Sequence, residues 1–338
     1  MRFLSAFGKA SQAALIAAAA VFGIQATSSP ATAQEKVTIQ IDGAAVPYYL
    51  PMYVADHYGY FKEEGLEVEF LYANAADILN NIAAGNVQFG FPNGDAVISA
   101  RANGLPVKVV HSTYQRGIGA VLFKQASGIK TPADLAGKKV AVTSYGSPNY
   151  IQLQVMMSQA GKSVDDANVE IVGTGAILDA LKSDQVDAIV FSMLRYYALK
   201  AEGVDVGMIP SDDYLPSHGN VLVTSEDYLA ANPKVVKGFI AALDKALKHI
   251  VDGDVAKEVS MVIDTYTPTF APQKDIVTEI INEVFVKTLW QSDDTKANGF
   301  GYGNIASWQK TIDVAKEYEA IPDSFDAADM VVEKPADL

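Results

Sequence analysis

Apolar and polar positions alternate in short runs over the first two thirds of the chain and recur at helical spacing over the last third. Val37–Ile41, Leu66–Leu71 and Val87–Phe91 read as strands, and helices are expected from Leu50–His57 and over Ala76–Ala84. Short strands alternating with helices predict parallel sheets in an α/β fold. Gly65 in "EGL" and Gly161 in "AGK" supply the residue that ends a helix. Asn232 is an expected N-cap with Pro233 at the first helical position. Val235, Val236, Phe239, Ile240, Leu243, Leu247 and Ile250 then share one buried face. Asp275–Leu289 and Ala306–Tyr318 read as further helices that cover a lobe.

The pattern repeats. Ile78–Ile82 before Asn86-Val87-Gln88 aligns with Ile177–Leu181 before Gln185-Val186-Asp187, an offset of 99 residues. At that offset "ANGLPVKVV" (102–110) falls on "AEGVDVGMI" (201–209). With a two-residue gap, "IQIDGAAVPYYLPMYV" (39–54) matches "VAVTSYGSPNYIQLQV" (140–155), pairing Pro47 with Pro148 and Tyr49 with Tyr150. Two lobes of one plan are expected. Ligands of open parallel sheets bind beyond the carboxyl ends of the strands. Those ends are 43–49 and 91–95 in the first repeat and 144–150 and 191–194 in the second, so two facing lobes present matched loops across one cleft.

These loops limit the chemistry. Ser144–Tyr150 lacks the Lys-Ser/Thr of a phosphate loop, the G-x-G-x-x-G of dinucleotide folds and the G-x-S-x-G elbow. What remains is a helix start with free N–H groups, hydroxyls and an amide, suited to hydrogen-bonded or anionic small molecules. Candidate ligand residues are Tyr48, Tyr49, Asn93, Asp95, Tyr114, Tyr145, Ser147, Asn149, Phe191 and Ser192. Ser147 and Asn149 serve equally well as helix caps, and Phe91 or Phe191 as core. His57, His111, His218 and His249 are scattered, so neither a metal nor a cofactor is expected. Asp42 and Asp95 are possible paired carboxylates, but each also suits a strand-end hydrogen bond, and no nucleophile–base pair is evident.

Composition narrows the setting. Arg2 and Lys9 precede an apolar run, Ala13–Ile24, followed by Ala31-Thr32-Ala33, which reads as a signal peptide over residues 1–33. The run is shorter than the roughly 20 residues that span a bilayer. The chain has no cysteine, which removes disulfides, thiolate sites and a lipidated cysteine. Removing residues 1–33 takes the formal charge from −14 to −16, against nucleic acid or an anionic membrane as partner.

"YYLPMYVADHYGYFKEEGLEVEF", "ANAADILNNIAAGNVQFGFPNGDAVISARANGLPVKVV", "GIKTPADLAGKKVAV" and "VLVTSEDYLAANPKVVKGFIAAL" resemble blocks of ABC-transporter solute-binding proteins of the NMT1/THI5-like group. The resemblance implies a two-lobed, periplasmic-binding-protein-like (type II) α/β fold, each lobe a βαβ-built sheet flanked by helices. Residues 34–123 and 220–338 would form lobe 1 and 124–219 lobe 2, with crossovers near Tyr114–Phe123 and Pro216–Val221 as the hinge. It further implies a monomeric periplasmic carrier that delivers a small molecule to an inner-membrane permease and ATPase. "STYQRGIGAVLF" resembles the pyrimidine and riboflavin branch. Gly43 and Tyr49-Leu50-Pro51 depart from the tryptophan and His-Ala-Pro of pyrimidine carriers, and Asn149 stands where sulfonate and taurine carriers have a histidine. The four loops hold no Lys or Arg and several tyrosines. Burying an unpaired charge is costly, which favours a neutral or weakly charged heteroaromatic such as a pyrimidine or flavin-like vitamin precursor. A sulfonate, taurine or nitrate anion held by a helix start is the alternative. A pyrimidine-forming enzyme of the same fold is a remote one, since such synthases use a cysteine-rich motif, and a periplasmic sensor subunit is another.

Overall fold

The computed structural model describes residues 34–145 and 147–338, so the expected signal peptide lies outside the described residues. Two five-stranded mixed sheets organise the chain. The first contains β1 (Glu35–Asp42), β2 (Leu66–Ala73), β3 (Phe89–Phe91), β4 (Val107–His111) and β10 (Leu222–Ser225), in the order β2-β1-β3-β10-β4. The second contains β5 (Gly119–Lys124), β6 (Lys139–Val142), β7 (Asn168–Ile171), β8 (Ala188–Ser192) and β9 (Val206–Pro210), in the order β7-β6-β8-β5-β9. β1 runs parallel to β2 and β3 as β6 does to β7 and β8. The internal repeat is therefore one sheet plan used twice.

Each sheet also has an antiparallel strand that the repeat does not contain. β10 pairs with β3 and β4, and β5 pairs with β8 and β9. Residues 119–123, placed above in the first lobe, thus belong to a strand of the second sheet. The chain passes between the sheets through 112–118 and 211–221 instead. These crossovers are tied together: Asp212 Oδ2 accepts from Arg116 Nε at 2.7 Å, and its Oδ1 accepts from the N–H groups of Gly117 (2.9 Å) and Ser217 (3.0 Å).

The elements follow from their residues. β1 buries Val37, Ile39 and Ile41 on one face, while Ala120, Val121 and Leu122 of β5 are buried on both. Helix Pro233–Asp252 packs Val236, Phe239, Ile240, Leu243, Leu247 and Ile250 inward, as its spacing predicts. Asn232 precedes it but makes no capping bond; its amide donates back to the Tyr228 carbonyl. The helix expected over Asp275–Leu289 is α-helical from Lys274 to Ile280 and π-helical from Ile281 to Leu289. No described helix is long and apolar enough to cross a membrane.

Candidate ligand cleft

A cavity of about 480 Å³ opens where the strand ends of the two sheets meet. Asn74 and Asp95 follow β2 and β3, Ser144 follows β6, and Ser99, Asn103 and Ile151 line the walls. A larger groove of about 840 Å³ between Asn304–Gln309 and Ser324–Asp326 is lined from the first sheet's side alone. Three helices begin at the 480 Å³ cavity: Ala75–Ala83, Gly94–Ala102 and Pro148–Gln159. Their starts carry partial positive charge and N–H donors, which suits an acceptor-rich solute.

Capping has claimed several expected ligand groups. Asn93 Oδ1 accepts from Asp95 N at 2.8 Å. Ser147 Oγ accepts from Tyr150 N at 3.3 Å and donates to the Ser144 carbonyl at 2.8 Å. Ser192 Oγ accepts weakly from Leu194 N at 3.4 Å. Asn149, half-buried on the first turn of its helix, makes no side-chain hydrogen bond among the described residues. Tyr145 is 59% exposed and meets Tyr150 edge-on at 5.1 Å.

Of the ten candidate ligand residues only Asp95 lines this cavity, and the aromatic candidates form a separate, layered group. Tyr48, half-buried, stacks on Phe285 at 5.6 Å with the rings 4° from parallel. Tyr114, expected at the surface of the cleft, is only 2% exposed and belongs to the core. Its ring meets Phe285 and Phe91 edge-on, and its hydroxyl donates to the Tyr48 carbonyl at 2.9 Å, so it supports Tyr48 from the core. Tyr49 meets Phe91 edge-on at 6.0 Å and donates its hydroxyl to the Asp42 carbonyl. Phe191, next to last in β8, is half-buried against the core of the second sheet, with the Arg195 guanidinium 5.8 Å from its ring centre. Met193, Leu194 and Tyr197 beside it pack against the core of the first sheet, which joins the two halves here.

Asp42 and Asp95 sit in different hydrogen-bonding surroundings. Burial raises Asp42 to about 6 against N–H bonds from Gly43 and Ala75. Asp95 also rises to about 6 through burial, and the neighbouring Asp212 adds to this while Gln152 and Ser217 oppose it. Its partner in the second half is Gln152, whose Nε2 donates to Asp95 Oδ2 at 3.0 Å. Gln152 lies against Gly119, where a Cβ would stand 1.9 Å from its Oε1. That bond joins the two halves beside the crossovers.

Three of the four histidines have structural partners, and His57 is exposed. His218 stacks on Trp308 at 4.1 Å, and burial lowers it to about 3, so it is neutral. His111 sits between Thr113 and Asp244, and His249 between Tyr60 and Glu258. Among the described residues no group of three or more His, Cys, Asp or Glu is arranged to hold a metal.

Sequence reasoning missed Phe285, Gln152 and Arg195. Phe285 lies far along the chain inside a π-helical turn, and no local pattern marks it. Gln152 falls two residues past its strand-end loop. Arg195 falls one residue past the loop ending at Leu194 and is the signal that a slightly wider window would have found.

Comparison with known proteins agrees with this architecture. The family described as NMT1/THI5 like matches residues 46–253. The riboflavin-binding protein RibY of Chloroflexus aurantiacus is 27% identical over 82% of this chain and 79% of its own. The formylaminopyrimidine-binding protein of Halalkalibacterium halodurans is 27% identical over 85% and 86%. A 4-amino-5-hydroxymethyl-2-methylpyrimidine phosphate synthase of Aspergillus parasiticus is 28% identical over 64% and 67%. The periplasmic aliphatic sulphonate binding protein SsuA of Escherichia coli superposes with a TM-score of 0.69 at 18% identity, covering 87% of this chain and 96% of its own. Matched over more than half its length and folded as two sheets about a cleft, the chain belongs to the NMT1/THI5-like family and has the periplasmic-binding-protein fold.

Proposed function

We propose that the protein is the solute-binding component of an ABC importer. It captures a small heteroaromatic molecule, of pyrimidine or flavin type, between its two halves and delivers it to a membrane permease and its ATPase. The observation that carries this reading is the 480 Å³ cavity lined from both halves at strand ends. Residues 34–118 with 211–338 form one lobe and 119–210 the other in this proposal, hinged at the two crossovers. The solute closes the cleft through contacts available only in the closed form. Named relatives that bind riboflavin or formylaminopyrimidine support the ligand class. Residues 1–33 act as a signal peptide, and the carrier works as a periplasmic monomer.

Binding rather than synthesis is favoured. The sequence has no cysteine from which to build the motif that the synthases use. A second reading, an anion carrier of the sulfonate, taurine or nitrate type, draws on the three helix starts at the cavity. The test is a thermal-shift panel on residues 34–338. It contains riboflavin, formylaminopyrimidine, 4-amino-5-hydroxymethyl-2-methylpyrimidine, taurine, an alkanesulfonate and nitrate. A ligand at 100-fold its Kd stabilises the fold by about 2.7 kcal/mol. A shift with a ring compound is expected; shifts confined to sulfonates, taurine or nitrate would replace the heteroaromatic assignment with the second reading.

A further inference from the structure

The sequence contains four arginines, of which Arg101, Arg116 and Arg195 lie among the described residues. Two of these are matched to carboxylates: Arg101 stands 2.7 Å from Glu226 and Arg116 2.7 Å from Asp212. Arg195 alone has neither an ion pair nor a side-chain hydrogen bond among the described residues; its Cζ lies 5.8 Å from the centre of the Phe191 ring. In a chain with 40 acidic against 26 basic side chains, an arginine left without a carboxylate is the exception.

Its position makes the missing partner informative. Arg195 is the second residue of helix Leu194–Ala201, at the joint where Met193, Leu194 and Tyr197 seat against the core of the other half. It is half-buried there, and its charge reaches across to the Tyr48 hydroxyl and opposes the rise that burial causes. The acidic groups on the facing segment, Glu279 and Glu283, lie beside Tyr197, and Glu283 is engaged by Lys287 at 2.6 Å. A guanidinium loses hydration as a cleft closes, and a planar two-oxygen acceptor replaces that hydration in a way a single neutral oxygen does not. The Phe191 ring, 5.8 Å from the Arg195 Cζ, accepts no hydrogen bond from it, which leaves the N–H donors available.

Resting on the carrier reading above, we propose that Arg195 receives an anionic group of the solute, a carboxylate, sulfonate or phosphate. The cargo is then a flat ring bearing a negative charge, with the ring against Tyr48 and Phe191 and the anion on the guanidinium, at the joint of the two halves and outside the residues that line the 480 Å³ cavity. This joins the two ligand chemistries that the loops left as alternatives, because the cation stands one residue beyond them.

The test compares ring compounds that differ in one anionic group: riboflavin with riboflavin 5′-phosphate, nicotinamide with nicotinate, and 4-amino-5-hydroxymethyl-2-methylpyrimidine with its phosphate. Methanesulfonate serves as a ring-free anion. Each is titrated calorimetrically into the wild type, Arg195→Gln and Arg195→Lys, whose thermal midpoints without ligand establish that the variants fold. In at least one pair, the charged member is expected to bind the wild type about tenfold or more tightly than its neutral counterpart. Arg195→Gln should erase that preference with much less effect on the neutral member, and Arg195→Lys should keep part of it. A wild type that prefers neutral rings, or an Arg195→Gln variant that weakens both members equally, overturns the role of Arg195 and leaves the carrier reading standing. Methanesulfonate binding alone, lost in Arg195→Gln, keeps the anion site and overturns the ring. Failure of every probe overturns both.

Discussion

Asp95 and His218 make opposite demands on pH. Asp95 titrates near 6 in the folded protein against 3.8 when free, so folding favours its protonated form. The stabilisation from holding that proton is complete below about pH 4 and is lost as pH rises through 6. Above that, the fold carries a buried carboxylate at a cost of up to about 3 kcal/mol. His218 is lowered to about 3, so its contribution is full above 6.5 and is lost as pH falls toward 3. Comparing Asp95→Asn with the wild type cancels the histidine and isolates the aspartate. The variant should be the more stable at pH 7, and the difference should shrink to nearly nothing at pH 4 in urea unfolding. A difference that stays constant across this range would show that Asp95 does not titrate there.

Helix starts line the cavity and one irregular helix backs Tyr48, and they respond differently to truncation. Ser147 caps Pro148–Gln159 with its hydroxyl, whereas Asn149 projects from the first turn without a side-chain hydrogen bond among the described residues. Ser147→Ala should lower unfolding free energy by about 1 kcal/mol without ligand. Asn149→Ala should leave the ligand-free midpoint unchanged and weaken binding about tenfold. Unchanged affinity in Asn149→Ala would remove that residue from the site. The π-helical stretch Ile281–Leu289 places Phe285 flat behind Tyr48. Widened turns of this kind occur often at functional sites. In Phe285→Leu, loss of the stacked backing should cost about 0.5–1.5 kcal/mol of ring binding, measured by titration, since the core volume is largely kept.

Across the whole molecule, two crossovers and one side-chain bond govern the joint. Asp212 gathers Arg116, Gly117 and Ser217 at the crossovers, and Gln152 reaches from the second half to Asp95 in the first. A methyl at Gly119 displaces the Gln152 amide and breaks that reach. Because the chain has no cysteine, Leu71→Cys and Ile171→Cys on the edge strands β2 and β7 provide two unique, exposed labelling sites. The distance between labels should fall when ligand is added. In a Gly119→Ala background the ligand-free distribution should move to longer separations. Identical distributions in all three states would mean that the halves form one rigid body, and the hinge would have to be given up.

Much of this was readable from the residues in order. Strands such as β1 and helices such as Leu50–His57 appear where local periodicity places them, because strand and helix geometry set the spacing of buried positions within a few residues. The doubled sheet plan was readable for the same reason, since it is local pattern recurring at a near-constant offset. The antiparallel strands β5 and β10 were not, because each takes its place only after the chain has crossed between sheets, and pairing across such a distance leaves no local mark. Facing was equally hidden. Tyr48 and Tyr114 look alike in sequence, yet packing left one half-buried and sealed the other in the core behind it, with Phe285 brought against both from the far end of the chain. The order of amino acids determined the elements and their repetition, because those depend on neighbours. Which side chains line the cleft, and which arginine remains without a carboxylate there, depends on contacts between residues far apart in sequence, and only the tertiary structure decided it.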